Sequence, residues 1–212
     1  NSQEKTQKAT NENRFKNELI KLKINTDDKN FIFEKDEHPR NNLNLEDLKK
    51  LKTVFKENGT VTAGNSSGIN DGAAATILMS REEAELRGIE PLAKVVSWAT
   101  CGVEPSLMGL GPIKAVNLAL EKAEWNREDI DLFEINEAFA AQSIAVIRDL
   151  KIRKEIVNVN GGAIALGHPI GASGTRILVT LIHEMIRQNK SKGCATLCIG
   201  GGMGIAMCIE KN

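Results

Sequence analysis

Gly161-Gly162-Ala163-Ile164-Ala165-Leu166-Gly167-His168-Pro169-Ile170-Gly171-Ala172-Ser173-Gly174 sets one imidazole among closely spaced glycines at the mouth of a helix. Glycines at this density lose chain entropy on folding and pack nothing themselves, so their use is close backbone approach. After Gly171 the residues Ile177, Leu178, Leu181, Ile182, Met185 and Ile186 form a stripe at helical spacing, which predicts a helix to about Asn189 with its N-terminus aimed at His168. Residues 157–159, just upstream, read as a short strand. Downstream, residues 195–199 and 205–210 read as an antiparallel pair of strands joined by Gly200-Gly201-Gly202. Strand, glycine loop, helix and strand in succession describe a layered α/β domain.

Working back toward the start, the same alternation continues to Gly88. Residues 131–135 predict a strand, followed by a helix over about 137–150, where Phe139, Ala140, Ile144, Ala145 and Ile147 cover most of the circumference and imply central burial. Pro112 opens a helix whose Ile113, Val116, Leu120 and Ala123 recur at helical spacing, and residues 92–99 form the strand before it. Residues 59–75 are dominated by small side chains that mark tight turns and ligand-facing backbone, and they lead into an apolar strand-like run at 76–79. Residues 1 to about 58 are rich in Lys, Asn, Asp and Glu, with helices expected around 14–20 and 44–55.

Composition excludes several classes of function. The 212 residues carry 28 basic and 28 acidic side chains, and no basic stripe interleaved with aromatics, so nucleic acid is not an expected partner. No apolar run approaches the roughly 18 residues that span a bilayer, and the polar start is unlike a signal, which predicts no membrane association and a cytoplasmic location. Cys101, Cys194, Cys198 and Cys208 lie in apolar, strand-like text and read as free thiols. Cys194 and Cys198 lack a second ligand pair, so no metal site is expected. Gly200 to Gly204 has no Lys-Ser/Thr after it, which argues against a phosphate loop.

Three groups capable of chemistry sit at strand or helix ends: Asn136-Glu137, His168 and Cys198. Such ends are where α/β folds build sites. His and Cys are suited to proton transfer and acyl chemistry near neutral pH, and a helix N-terminus beside His168 favours a thiolate or a developing oxyanion over an imidazolium. His38 and His183 read as surface or satisfied histidines, and Cys101, Cys194 and Cys208 as packing residues. Asn65 and Ser67 either shape turns or face a ligand; Asn136 either caps the next helix or belongs to the site.

The stretches at 59–75, 96–100, 109–112, 136–142, 158–174 and 194–210 together resemble the thiolases, in their biosynthetic acetyl-CoA acetyltransferase branch. Asn136-Glu137-Ala138-Phe139, Gly167-His168-Pro169 and Cys198-Ile199-Gly200-Gly201-Gly202, in this order, are the specific motifs. The resemblance implies a thiolase-like layered α/β fold. It assigns residues 1–69 to part of a loop domain with a coenzyme A-contacting segment, 70–90 to the end of an N-terminal-type domain and 91–212 to the C-terminal domain. It also implies reversible Claisen condensation of two acetyl-CoA molecules to acetoacetyl-CoA and CoA, with these thioesters as substrates and no cofactor.

By the same resemblance His168 activates the acylated cysteine and, with a water on Asn136, binds the thioester oxygen. Cys198 moves the α-proton, and the Gly200 N–H supplies half of an oxyanion hole. Ser67 and Arg40 fall where the family contacts coenzyme A, and Met108 and Phe139 where it lines the acyl pocket. The family's acylated cysteine lies in a Cys-(Ala/Gly)-Ser-Gly-type segment that these residues do not contain. The chain is therefore expected to be inactive alone, and to work with an N-terminal thiolase half or in an oligomer. A catalytically incompetent remnant that binds acyl-CoA or oligomerises is the alternative. The β-ketoacyl synthases share the architecture but rely on two histidines, where this chain has Asn136 and Cys198.

Overall fold

Alternating apolar faces in the C-terminal half are buried on both sides of one four-stranded sheet. The computed structural model describes residues 1–26 and 29–211. Strands β3 (Lys94–Gly102), β4 (Leu132–Ile135), β5 (Lys192–Ile199) and β6 (Met203–Glu210) are ordered β3-β6-β5-β4. β6 runs antiparallel to β3 and β5, whereas β4 is parallel to β5, with Ile135 opposite Thr196. On one face, Phe133, Ile135, Cys194, Ala206 and Cys208 pack against Ala115, Val116, Ala119 and Leu120 of α4 (Gly111–Ala123) and Val146 and Leu150 at the end of α5 (Ala140–Asp149). On the other, Leu132, Ala195 and Ile209 meet Ile177, Leu181 and Met185 of α7 (Ser173–Gln188). Pro112 in the first turn of α4, the α7 stripe and the β5–β6 pair follow the sequence reading closely.

Several elements differ from that reading. The first helix is α1 (Ser2–Asn11), not 14–20; residues 12–18 are turns, with Asn13 at φ 54°. α1 buries only Thr6 and Ala9, so it has no apolar stripe to announce it. Of the expected helix at 44–55 only α2 (Leu45–Lys49) forms, capped by Asn44, whose Oδ1 accepts from the Asp47 N–H at 2.9 Å. A hairpin of β1 (Leu22–Asn25) and β2 (Asn30–Phe33) was not legible. Residues 76–79 pair with no strand among the described residues, and α3 (Arg81–Leu86) follows them. Ile77 and Leu78 are 87% and 74% exposed. α5 begins at Ala140 and buries Gln142, Ser143 and Val146, while Ile144 faces solvent, so the inference of central burial fails for that stripe. Residues 157–159 make a single bridge, Phe133 to Val157, because Asn158 adopts φ 45° and leaves the strand conformation.

The alternation of β4 places Glu134 on the α7 side, fully buried, with Arg176 Nη1 3.6 Å from its Oε2. That separation is too long for a hydrogen bond and offsets only part of the desolvation, so burial pushes the Glu134 carboxyl up to about 8. Burial also lifts Glu18, which bonds Thr180 and faces Arg176, Glu184 and Asp36, to about 7. Both folded carboxyls hold protons that an unfolded chain, at the ordinary 4.5, has released. Their contribution to stability is complete below the unfolded value and is lost as pH rises through the folded ones. Urea unfolding is therefore expected to show stability declining from about pH 5 to about pH 8, by on the order of 1 kcal/mol per unit for each group. Glu134→Gln, which cannot ionise, is expected to flatten that decline. At the centre of the α7 face, Leu181→Ala is expected to cost about 2–5 kcal/mol in the same measurement.

Candidate active site

Because β4 is parallel to β5 and β6 is antiparallel to both β5 and β3, strands β3, β4 and β5 all end on one edge of the sheet. The segments leaving those ends carry the candidate residues: a 3-10 turn at Pro105–Leu110 after β3, Asn136 after β4 and Cys198 near the end of β5. The Asn136 N–H donates to the Thr196 carbonyl at 3.0 Å, extending the ladder by one residue. The Asn136 side chain is 1% exposed. Its Nδ2 donates to His168 Nε2 at 3.3 Å, and its buried Oδ1 has no hydrogen-bond partner among the described residues. An orphaned buried acceptor costs about 1–3 kcal/mol, so this oxygen is free to accept a hydrogen bond from a donor brought into the site. α5 starts three residues beyond Glu137 with Phe139 at its N-cap, so Asn136 does not cap that helix.

His168 lies between the short helix α6 (Ala163–Leu166) and α7. Its backbone N–H donates to Asn70 Oδ1 at 3.2 Å. Gly167, at φ 95°, permits that approach, since a Cβ there would lie 2.5 Å from the same oxygen. Ser173 Oγ donates to the Pro169 carbonyl at 3.0 Å and therefore accepts from His168 Nδ1 at 2.6 Å. This network assigns the proton to Nδ1 and leaves the Nε2 lone pair facing Asn136. Burial, then the charge of Arg176, holds the imidazole below its ordinary 6.5, so it is neutral at pH 7.

Cys198 is buried, and burial lifts its thiol above the ordinary 9.0 against a smaller opposing backbone hydrogen bond, so it is protonated at neutral pH. Gly200 follows it, with open space where a Cβ would stand. The loop carrying Ser67 is zipped to the Asn136 loop: the Ser67 N–H donates to the Ala138 carbonyl at 3.0 Å and the Ala140 N–H to Asn65 at 2.9 Å. The Phe139 ring meets Phe55 edge-on, with centroids 5.9 Å apart. Asn65 shapes its turn, accepting from the Thr62 N–H and donating to the Thr60 carbonyl, both at 2.8 Å. Met108 is half-buried in the turn after β3.

Arg40 is exposed, its backbone N–H donating to Gln3 Oε1 at 2.8 Å. Two residues earlier, His38 Nδ1 pairs with the Ala165 carbonyl at 2.9 Å, a satisfied histidine as expected. The four cysteines are free. Ser173 and Asn70 were missed by the sequence reading. Ser173 could have been found from its place at the first turn of the helix that His168 precedes, whereas nothing local marks Asn70, which lies 98 residues from its partner.

No helix among the described residues is long and apolar enough to cross a membrane. Residues 89–211 match the family model "Thiolase, C-terminal domain" and residues 1–82 match "Thiolase, N-terminal domain". The acetyl-CoA acetyltransferase of Rhizobium meliloti (strain 1021) is 56% identical over 210 residues, covering 99% of this chain and 53% of the relative. The cytosolic acetyl-CoA acetyltransferase of Rattus norvegicus is 52% identical over 213 residues, covering 100% and 54%. The crystal structure of the Bacillus anthracis acetyl-CoA acetyltransferase superposes with a TM-score of 0.98 at 48% identity, covering all of this chain and 54% of the other. Human mitochondrial 3-ketoacyl-CoA thiolase in complex with CoA gives 0.92 at 40% identity, covering 100% and 52%. The chain thus spans about half the length of the curated relatives it matches. With two family models matched in tandem, and with Asn136 at the end of β4 paired to a half-buried His168, this chain belongs to the thiolase family.

Proposed function

We propose that this chain supplies the His, Cys and Asn half of an acetyl-CoA C-acetyltransferase site, working with a nucleophilic cysteine from an N-terminal thiolase half. The observation that carries this reading is the orphaned Asn136 Oδ1 beside the Nε2 of a neutral His168, on the edge shared with Cys198. The named activities of the relatives point the same way. Coenzyme A thioesters are the substrates and no resident cofactor is needed. Residues 1–69 form part of the loop domain, 70–90 end an N-terminal-type domain and 91–212 form the C-terminal domain. A cytoplasmic location is supported by the cytosolic rat relative. Association with an N-terminal half or in a homo-oligomer is supported by the bare apolar run at Ile77 and Leu78.

In the thiolytic direction His168 Nε2 takes the proton of the nucleophilic cysteine, whose thiolate attacks the 3-keto carbon of acetoacetyl-CoA. The C2–C3 bond breaks and its electron pair moves into the thioester as an enolate. The oxyanion receives hydrogen bonds from protonated Nε2 and from a water held by Asn136 Oδ1. The Cys198 S–H gives its proton to C2, releasing acetyl-CoA, which suits a thiol that burial keeps protonated. The acetyl group on the cysteine, its oxygen facing the Gly200 N–H, then passes to CoA, whose thiol proton returns to the Cys198 thiolate. The released cysteine thiolate takes its proton back from His168, and condensation is the reverse. Ser67 and Arg40 hold the pantetheine and nucleotide ends, and Met108 and Phe139 line the acyl pocket.

The test is thiolysis of acetoacetyl-CoA by the chain mixed with the N-terminal half of a relative. His168→Ala and Cys198→Ala are each expected to lower kcat by about 10²–10⁴-fold. Absence of turnover in a folded mixture overturns the reading in favour of a remnant, and turnover by the chain alone places the nucleophile within it, with Cys101 the first to examine. Since His168 is held below 6.5 and Cys198 above 9.0, activity is expected to fall only below pH 6.5 and above pH 9.0, with a plateau between.

A further inference from the structure

Asn136 and His168 must keep a fixed separation although they belong to different loops, 32 residues apart in the chain. The only direct bond between their side chains is the Asn136 Nδ2 to His168 Nε2 contact, and substrate has to work against that same pair. Something else must hold the two loops together. Glu137 is the next residue after Asn136, half-buried, and its carboxylate reaches into the His168 loop. Its Oε2 accepts from the Ile164 N–H at 3.2 Å, in the first turn of α6, the four-residue helix that ends at Leu166, two residues before His168. The same oxygen accepts from Ser2 Oγ at 2.6 Å, and Ser2 Oγ accepts in turn from the Gly162 N–H at 3.1 Å. Glu137 Oε1 faces Asn158 Nδ2 at 3.4 Å. Asn158 also exchanges two 2.7 Å bonds with the backbone of Ile135, one residue before Asn136.

The Gly162 backbone is pressed against this carboxyl: a Cβ at Gly162 would stand 2.5 Å from Glu137 Cδ and 2.6 Å from Oε2. Position 162 therefore needs glycine for room rather than for backbone freedom. α1 closes the loop from the other side, with Thr6 Oγ1 donating to the Asn160 carbonyl at 3.2 Å and Lys5 Nζ to the Val157 carbonyl at 2.7 Å. One carboxylate thus ties the β4 end, the glycine loop, α6 and α1 at a single point.

We infer that Glu137 is a positioning residue that sets the spacing of Asn136 and His168 by fastening the start of α6 to the end of β4. It touches neither reacting atom. The inference rests on the acyltransferase reading for its kinetic consequence, but its geometric consequence is independent of it. Loss of the carboxylate frees the Ile164 N–H and lets α6, with His168 two residues beyond it, drift from Asn136. Displacements near 1 Å at a reacting group cost up to about 10²-fold in rate.

The experiment compares Glu137→Ala and Glu137→Gln in the full chain, with thermal unfolding, the imidazole resonances of ¹⁵N-histidine-labelled protein, and thiolysis kinetics in the reconstituted mixture. Glu137→Ala is expected to shift the His168 Nε2 resonance and lower kcat about 10- to 100-fold, with the KM for CoA unchanged. Glu137→Gln keeps one acceptor oxygen for the Ile164 N–H and is expected to recover part of kcat and of the resonance position. An unshifted His168 resonance in a folded Glu137→Ala protein overturns the inference. So does a loss confined to KM, or a kcat loss that follows thermal stability through both variants without recovery by Gln. If even the parent mixture shows no thiolysis, the acyltransferase reading has failed, and the resonance comparison alone decides the role of Glu137.

Discussion

The parallel pairing of β4 with β5 is the constraint on which the site depends. It aligns the C-terminal ends of two strands whose paired residues are 61 positions apart, so that Asn136 and Cys198 lie at the same edge of the sheet. An antiparallel pairing would have sent them to opposite edges. Parallel neighbours require a crossover, and here that crossover is built from α5, the glycine loop, α6 and α7. His168 lies within it. The element that makes the strand pairing possible therefore also delivers the imidazole to the edge where the strands end.

Electrostatics then sort the roles of three groups with little help from exposed charge. Burial drives His168 downward and Cys198 upward, so at neutral pH one is a neutral imidazole and the other a protonated thiol. Ser173 completes the arrangement by accepting a hydrogen bond from Nδ1–H, which leaves the second ring nitrogen with a free lone pair. Glu134, two residues before Asn136, meets Arg176 on the opposite face of β4 from the main α4 core, and their incomplete pairing makes that region sensitive to pH.

Much of this was legible because the relevant signals are local. The α7 stripe, the proline that opens α4 and the glycine-joined β5–β6 pair each follow from residues within one or two turns of one another. The N-terminal third was illegible for the opposite reason. α1 buries only Thr6 and Ala9, and it is held by polar bonds from Ser2, Lys5 and Thr6 to residues around 157–162 that no local pattern records. Residues 76–79 have strand-like composition, yet composition does not supply a neighbouring strand. In α5 the apolar count suggested burial, but the sheet meets the side carrying Val146 while Ile144 faces away.

By itself the sequence determined the layered α/β class, because glycine spacing and helical periodicity act over short distances along the chain; its motifs carried the family resemblance and marked Asn136, His168 and Cys198 as candidates for chemistry. Only the tertiary structure decided which nitrogen of His168 is free, that an oxygen of Asn136 is left without a partner, and that Glu137 binds one loop to the other. Those outcomes depend on contacts between residues 32, 98 and 135 positions apart, and hydrogen-bond satisfaction across such distances is fixed by how the layers close.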